Sequence, residues 1–317
     1  MRIQKKQLWW KEKKDGLLPT VFAYLDGIPF ETALGRSIQK SDLRPLQEIA
    51  LDLIASVRGE TKERLITLLV DIGGVVTNAE RLKTGKEWER QQAVRNLSIY
   101  PKEQAENLLR AVLEDPSQNL RIAAARALID IGAEITLDEL IKSLFSKGGE
   151  KSIALRDIFR RIAPQQADAL LNILSQEISE SLQLLVIDAL GTTRNHESIP
   201  TLMQQFDSPL VDVRAEVLRA LTTIGHPDAT SIILQGLDDE KWEVRAQAAV
   251  GAGRIGIDSA IPKLRELMDD DEWWARFRAA EALKKIGGKG ISMLSKTANG
   301  TSRAAKIAEL VLNQEAA

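Results

Sequence analysis

The feature that most constrains this chain is a ruler: the same residue types return at one fixed interval along its length. Three segments, DSPLVDVRAEVLRALTTIG from Asp207, DDEKWEVRAQAAVGAGRIG from Asp238 and DDDEWWARFRAAEALKKIG from Asp269, lie in register. Their aspartates (Asp207, Asp238, Asp269), arginines (Arg214, Arg245, Arg276) and glycines (Gly225, Gly256, Gly287) each step by 31. Counting back from Arg214 reaches Gln183, Ser152, Arg121 and Arg90, so seven anchors share one spacing. A fixed period in this range marks a repeat array, whose units bury their apolar faces only by stacking on one another.

Each period reads as two helices. SIILQGL (residues 231–237) carries apolar residues three and four apart and stops at the acidic turn Asp238–Lys241; a second helix then runs from Trp242 to Ile255. Val244, Ala248, Ala252 and Ile255 form one stripe along it, the spacing of a helix with a single packed face. Ala246, Ala248 and Ala249 are small enough to let neighbouring helices come close, and Gly256 ends the helix. Pro200 and Pro262 suit first helical turns, where no backbone N–H is needed. No alternating β-branched run competes, so the expected fold is all-α, a right-handed α-α superhelix of about seven helical pairs.

The Asp-x6-Arg pairs, the VR-x-x-A core (VRAEVLRAL, VRAQAAVGA) and the closing IG resemble the HEAT family, in the short bacterial form known as phycobilisome-lyase-type HEAT-like repeats. The resemblance covers residues 86–290, with 291–317 as a shortened closing repeat and tail. It implies a structural ladder running between successive units, here Arg214, Arg245 and Arg276 with Asp207, Asp238 and Asp269. Ser152 and Gln183 depart from the pattern, which implies a ladder broken in mid-array. Through its bilin-lyase relatives the resemblance also implies an alternative function, chromophore transfer or a chaperone-like role toward a protein-bound pigment.

The amino-terminal third fits the ruler poorly. Residues 17–85 read as an irregular helical cap: LLPTVFAYLDG ending at Gly27, a turn-rich IPFETALGRS, a helix ending near Gly59 and another near Gly73. Residues 1–16 form a separate basic segment. Six cations and one anion fall between Met1 and Lys14, so a net charge of −2 overall leaves −7 for residues 15–317. An acidic body argues against general nucleic-acid binding, which requires a basic face, although a local basic groove stays open as a second alternative. Lys beside Trp9 and Trp10 suits a membrane–water interface; it equally suits a first helix whose indoles pack on the next. This start also resembles bacterial HEAT-repeat proteins tethered by an amino-terminal membrane helix. The expected location is the cytoplasm, at a membrane face if that tether exists.

Conventional chemistry finds few residues to work with. The chain has no Cys and two His, His196 and His226, which stand in comparable turns of two successive repeats. A metal site of ordinary type wants more ligands than that. The paired His-Glu motifs of the di-iron hydroxylase type in this family reduce here to His196–Glu197 alone. DDDE at Asp269–Glu272 lacks the glycine-centred loop of a calcium hand and reads as a helix cap. GGKG at Gly287–Gly290 lacks the order of a phosphate loop. No enzyme, metal or cofactor is expected.

The aromatics offer more. Trp242 and Trp273 occupy one repeat position, Trp274 and Phe277 follow, and Trp88 precedes its own anchor by two. Trp and Arg are the residues most enriched at binding hot spots. Five residues beyond the anchors stand Arg95, Arg126, Asp157, Asp188, Arg219, Val250 and Glu281, a row of patterned charge. The expected function is therefore a scaffold holding a protein or peptide on its concave face. Trp242, Trp273, Trp274, Phe277 and Arg278 are the leading contacts, followed by Arg219, Arg126 and Arg95. The competing reading is that the Trp residues cover the seam between helices.

Overall fold

The computed structural model describes residues 2–145 and 153–314, with side chains from Trp9 onward. Among these residues every regular element is helical, and the chain divides into two compact units, residues 1–148 and 149–317. The anchor Ser152 and residues 315–317 of the closing tail lie outside the described residues, as does Met1 of the basic start.

The first unit holds α1 (Arg2–Leu25), α2 (Phe30–Leu34), α3 (Lys40–Ile54), α4 (Glu60–Asp71), α5 (Gly74–Thr84), α6 (Glu87–Leu97), α7 (Lys102–Val112), α8 (Gln118–Asp130) and α9 (Leu137–Phe145). The boundary expected at residue 16 is not a structural break: α1 runs through Gly16, and α2 occupies part of the expected turn-rich connection. A glycine inside a helix costs about 1 kcal/mol, which packing can offset. That packing is visible. Trp10 donates its indole N–H to Glu48 Oε2 at 2.8 Å, Lys14 pairs with Glu48 at 3.1 Å, and Lys13 pairs with the buried Asp42 at 2.9 Å. Leu17 and Val21 of α1 are buried below them. The indole of Trp10 thus packs on the next helix, whereas Trp9 is 48% exposed. No helix among the described residues is long and apolar enough to cross a membrane.

The second unit holds α10 (Ile153–Leu174), α11 (Glu180–Thr193), α12 (Ile199–Gln204), α13 (Val211–Ile224), α14 (Thr230–Gly236), α15 (Trp242–Ile255), α16 (Ile261–Leu267), α17 (Trp273–Ile286), α18 (Gly288–Ala298) and α19 (Arg303–Asn313). α10 bends at Gln166, just after Pro164, so its two halves serve different repeats. The longer, second helices of successive repeats pack side by side in the order α10, α11, α13, α15, α17. Small residues set their spacing. A Cβ added to Gly253 of α15 would fall 2.7 Å from the Ala282 Cα of α17, and one on Gly191 of α11 would fall 2.7 Å from the Ala220 Cα of α13. Backbones that close leave no room for a methyl group. Gly225 and Gly256 end α13 and α15 in the left-handed region, at φ 75° and 81°, as C-caps require.

The ruler has a direct structural meaning. Arg90, Arg121, Gln183, Arg214, Arg245 and Arg276 are each the fourth residue of their helix. A side chain there can turn back under the helix start and reach the free carbonyls of the preceding turn.

Candidate functional site

Two arrangements were candidates, the charged ladder and the aromatic surface, and the structure separates their roles. In the ladder, Arg245 Nη1 donates to the carbonyls of Asp239 and Glu240 at 2.7 and 3.0 Å, closing the turn of its own repeat. Its Nε and Nη2 grip the Asp270 carboxylate of the next repeat at 2.7 and 3.0 Å. Arg214 does the same one unit earlier, donating to the Ser208 carbonyl and gripping Asp239 at 2.8 and 2.9 Å. In the first unit Arg90 pairs with Asp115, while Arg121 donates to the carbonyls of Asp115, Pro116 and Ser143.

The partners expected for the ladder, Asp207, Asp238 and Asp269, require correction by one residue. Asp239 and Asp270, six residues before their own arginines, are the carboxylates gripped. Each accepts the backbone N–H two residues on, from Lys241 and Glu272, both at 2.9 Å. That short turn fixes the carboxylate, so its remaining lone pairs face the arginine of the preceding repeat. The residue one earlier points elsewhere: Asp238 pairs with Lys263, Asp269 accepts from Arg265 at 2.7 Å, and Asp207 is exposed. Burial pushes the Asp239 and Asp270 carboxyls up, but the guanidiniums and N–H donors outweigh it and hold both below the ordinary range. At the departing position Gln183 donates to Gln205 Oε1 at 2.7 Å, and Gln205 in turn donates to the Leu174 carbonyl. The ladder is bridged by carboxamides there.

The aromatic surface is built on the first turns of α17. Trp273 and Phe277, four apart, stack with ring centroids 5.0 Å apart and planes 10° from parallel. Trp274 stands edge-on to both, 4.7 Å from Trp273 and 6.2 Å from Phe277. The Arg278 guanidinium lies 5.8 Å from the Trp274 ring and 5.9 Å from that of Phe277, within cation–π range. Glu281 holds Arg278 in place at 2.6 Å. Trp273 and Trp274 remain 41% and 50% exposed. Four of the expected contacts therefore form one patch. Trp242, at the same repeat position on α15, is half-buried and makes no ring contact with the patch.

The charged row is less uniform than its spacing suggests. Arg95 and Arg219 are exposed but lie along their own helices, on Gln92 at 2.9 Å and Glu216 at 2.7 Å; Arg126 is exposed on α8. Asp188 is buried and gripped by Arg160 of α10 through two 2.7 Å bonds, with Arg156 at 3.4 Å. Glu216 is buried beside them, and burial raises its carboxyl despite Arg219, Arg156 and Arg160. Arg156, Arg160 and Glu216 were not expected; no shared repeat position marks them. The rings of His196 and His226 lie 5.4 Å apart, tilted by 34°, and no group of three or more His, Asp or Glu among the described residues is placed to hold a metal.

The model of HEAT repeats matches residues 77–150, 167–241 and 230–312. The chain belongs to the HEAT-repeat family. None of the curated proteins matches it. Among solved structures, a mutant of Kap121p superposes with a TM-score of 0.52 at 13% identity, over 87% of this HEAT-repeat chain and 37% of that one. This likeness shows the fold, an all-α HEAT solenoid; the chain spans only about two fifths of the Kap121p chains it resembles. Two others superpose more loosely. YibA of E. coli does so at 14% identity and TM-score 0.39, over 88% of this chain and 99% of its own. The CpcE–CpcF complex of phycocyanin lyase from Nostoc sp. does so at 18% and 0.34, over 75% and 93%.

Proposed function

We propose that this HEAT-repeat protein is a non-enzymatic scaffold that captures a protein or peptide through the aromatic patch on α17. One observation carries the reading: Trp273, Trp274, Phe277 and Arg278 are assembled into a single stacked surface, yet both indoles stay largely in water. Exposed aromatics held in fixed geometry lose little entropy on binding, and a neighbouring guanidinium adds a directional donor. Within the same unit, Trp242 stands half-buried one repeat earlier, and Arg219 contributes charge that speeds encounter more than it strengthens the complex. The action is surface complementarity with no bond made or broken. We place the protein in the cytoplasm on the same reading.

The test begins with a protein co-purified with the wild-type chain, itself then purified and titrated by calorimetry. A chain carrying Trp273→Ala and Trp274→Ala should bind that protein at least tenfold more weakly, with an unchanged melting temperature. Equal affinity in the double variant overturns the reading. So does a covalent change in the captured protein, or a bilin whose absorption shifts on mixing with the chain.

A further inference from the structure

The first unit contains a polar cavity of its own. A cavity of about 300 Å³ opens between α3, α5 and α6, at the lower end of the range for ligand pockets. Its floor is made of carboxamides. Gln47 and Asn96, both only 4% exposed, line it together with Gln92. Gln92 Nε2 donates to Asn96 Oδ1 at 3.0 Å, Asn96 Nδ2 donates to the buried Asn78 at 3.2 Å, and Gln47 Nε2 donates to Thr77 Oγ1 at 3.2 Å. These bonds fix the orientation of each amide and still leave each one a further donor hydrogen and an acceptor lone pair. Trp88, 63% exposed, forms one wall.

Arg81 of α5 also lines the cavity, half-buried. Among the described residues its guanidinium makes no side-chain hydrogen bond or ion pair. Burial pushes the neighbouring Tyr100 hydroxyl up to about 12, so that group stays neutral and offers no counter-charge. A partly desolvated guanidinium without a carboxylate is costly to hold, and it is a common device for receiving one. The other wall restricts what can enter. Glu48, Asp52 and Glu89 line the same cavity; Arg44 pairs with Glu48 and Lys14 with both Glu48 and Asp52, so Arg81 is the cation left to receive a ligand, and it matches one negative charge where a free dianion such as phosphate carries two.

We propose that this cavity receives an extended peptide segment, with an acidic side chain of the segment paired to Arg81. The carboxamide floor matches the alternating N–H and C=O groups of a peptide backbone, which a bare anion lacks. The face of Trp88 covers the side chain next to the acidic one. No residue is shared with the α17 patch, so the two readings stand or fall separately.

The experiment uses the full chain, immobilised, and two blocked tripeptide libraries, acetyl-X-Glu-X-amide and acetyl-X-Gln-X-amide. Retention is read by mass spectrometry. The Glu library should be retained at least tenfold over the Gln library, and Arg81→Gln should abolish that preference. Trp88→Ala should weaken retention about as much. Arg81→Lys keeps the charge but loses the fork, and should fall between wild type and Arg81→Gln, which guards against a variant that merely misfolds. Equal retention of the two libraries, retention of neither, a preference that survives Arg81→Gln, or full displacement by inorganic phosphate would each overturn the proposal.

Discussion

Two stretches of the second unit solve the same structural problem with different residues. The repeats around α13 and α15 have Arg214 and Arg245 as anchors, gripping Asp239 and Asp270, and end in Gly225 and Gly256. The repeat of α11 has Gln183 in the anchor position, bonded to Gln205, and ends in Arg194, which is held at φ 55°. Arg194 stands one full period before Gly225, so an arginine occupies the left-handed cap that its neighbours give to glycine. The helical path survives both changes. The period therefore depends on a hydrogen-bonded rung and on a residue in the left-handed cap, not on particular charges. What the charged version adds is a grip on a buried carboxylate, and with it a penalty if the grip is removed.

That penalty gives the largest expected effect. Arg245→Ala leaves Asp270 with a side chain only 8% exposed and no guanidinium, and should destabilise the second unit by about 3–5 kcal/mol. Gln183→Ala at the uncharged rung should cost about 1 kcal/mol. Hydrogen exchange of α15 and α11 amides measures both, and equal losses would erase the contrast.

Acid is the next lever. Asp239 and Asp270 have folded-state values below the unfolded one, so their contribution is complete above about pH 4 and is lost as pH falls through the folded values. Melting of the second unit should thus drop as pH falls below about 4. A chain with Asp239→Asn and Asp270→Asn should start less stable and show a flatter pH profile.

Two smaller changes act in the opposite direction. Arg194→Gly relieves the left-handed strain and should raise stability by about 1 kcal/mol, visible as a higher melting temperature. Gly225→Arg should lower it. Glu216 is the reverse of the ladder aspartates: burial raises its value, so the ionised form costs stability that is recovered as pH falls through the folded value. Glu216→Gln should therefore stabilise the chain slightly at pH 7, by less than about 1 kcal/mol, with the gain disappearing in acid.

Much of this was readable from the sequence, and the misses have physical causes. The regular step located the arginines at one helical position because a residue must sit in the first turn to reach the carbonyls beneath it. It did not locate the aspartates, since DDE and DDDE place three or four carboxylates side by side and only the backbone turn decides which one faces inward. Ser208 standing at the inward position of one repeat hid the correct spacing further. The α17 cluster followed from residues four apart. Nothing in the spacing distinguished Trp273 from Trp242, because burial of an indole depends on what neighbouring helices cover. The cavity of the first unit was not legible at all: Gln47, Asn96 and Arg81 come from three helices outside any shared register.

The last rung has a meaning of its own. Arg276 closes its turn on the carbonyls of Asp270 and Asp271, yet its Nε is buried with no acceptor. Thr301 occupies the place in the next repeat that Asp239 and Asp270 hold for the earlier rungs. The series stops because the acceptor is withheld while the donor is kept. A grafted repeat that supplied a carboxylate at that point would find a socket already cut for it.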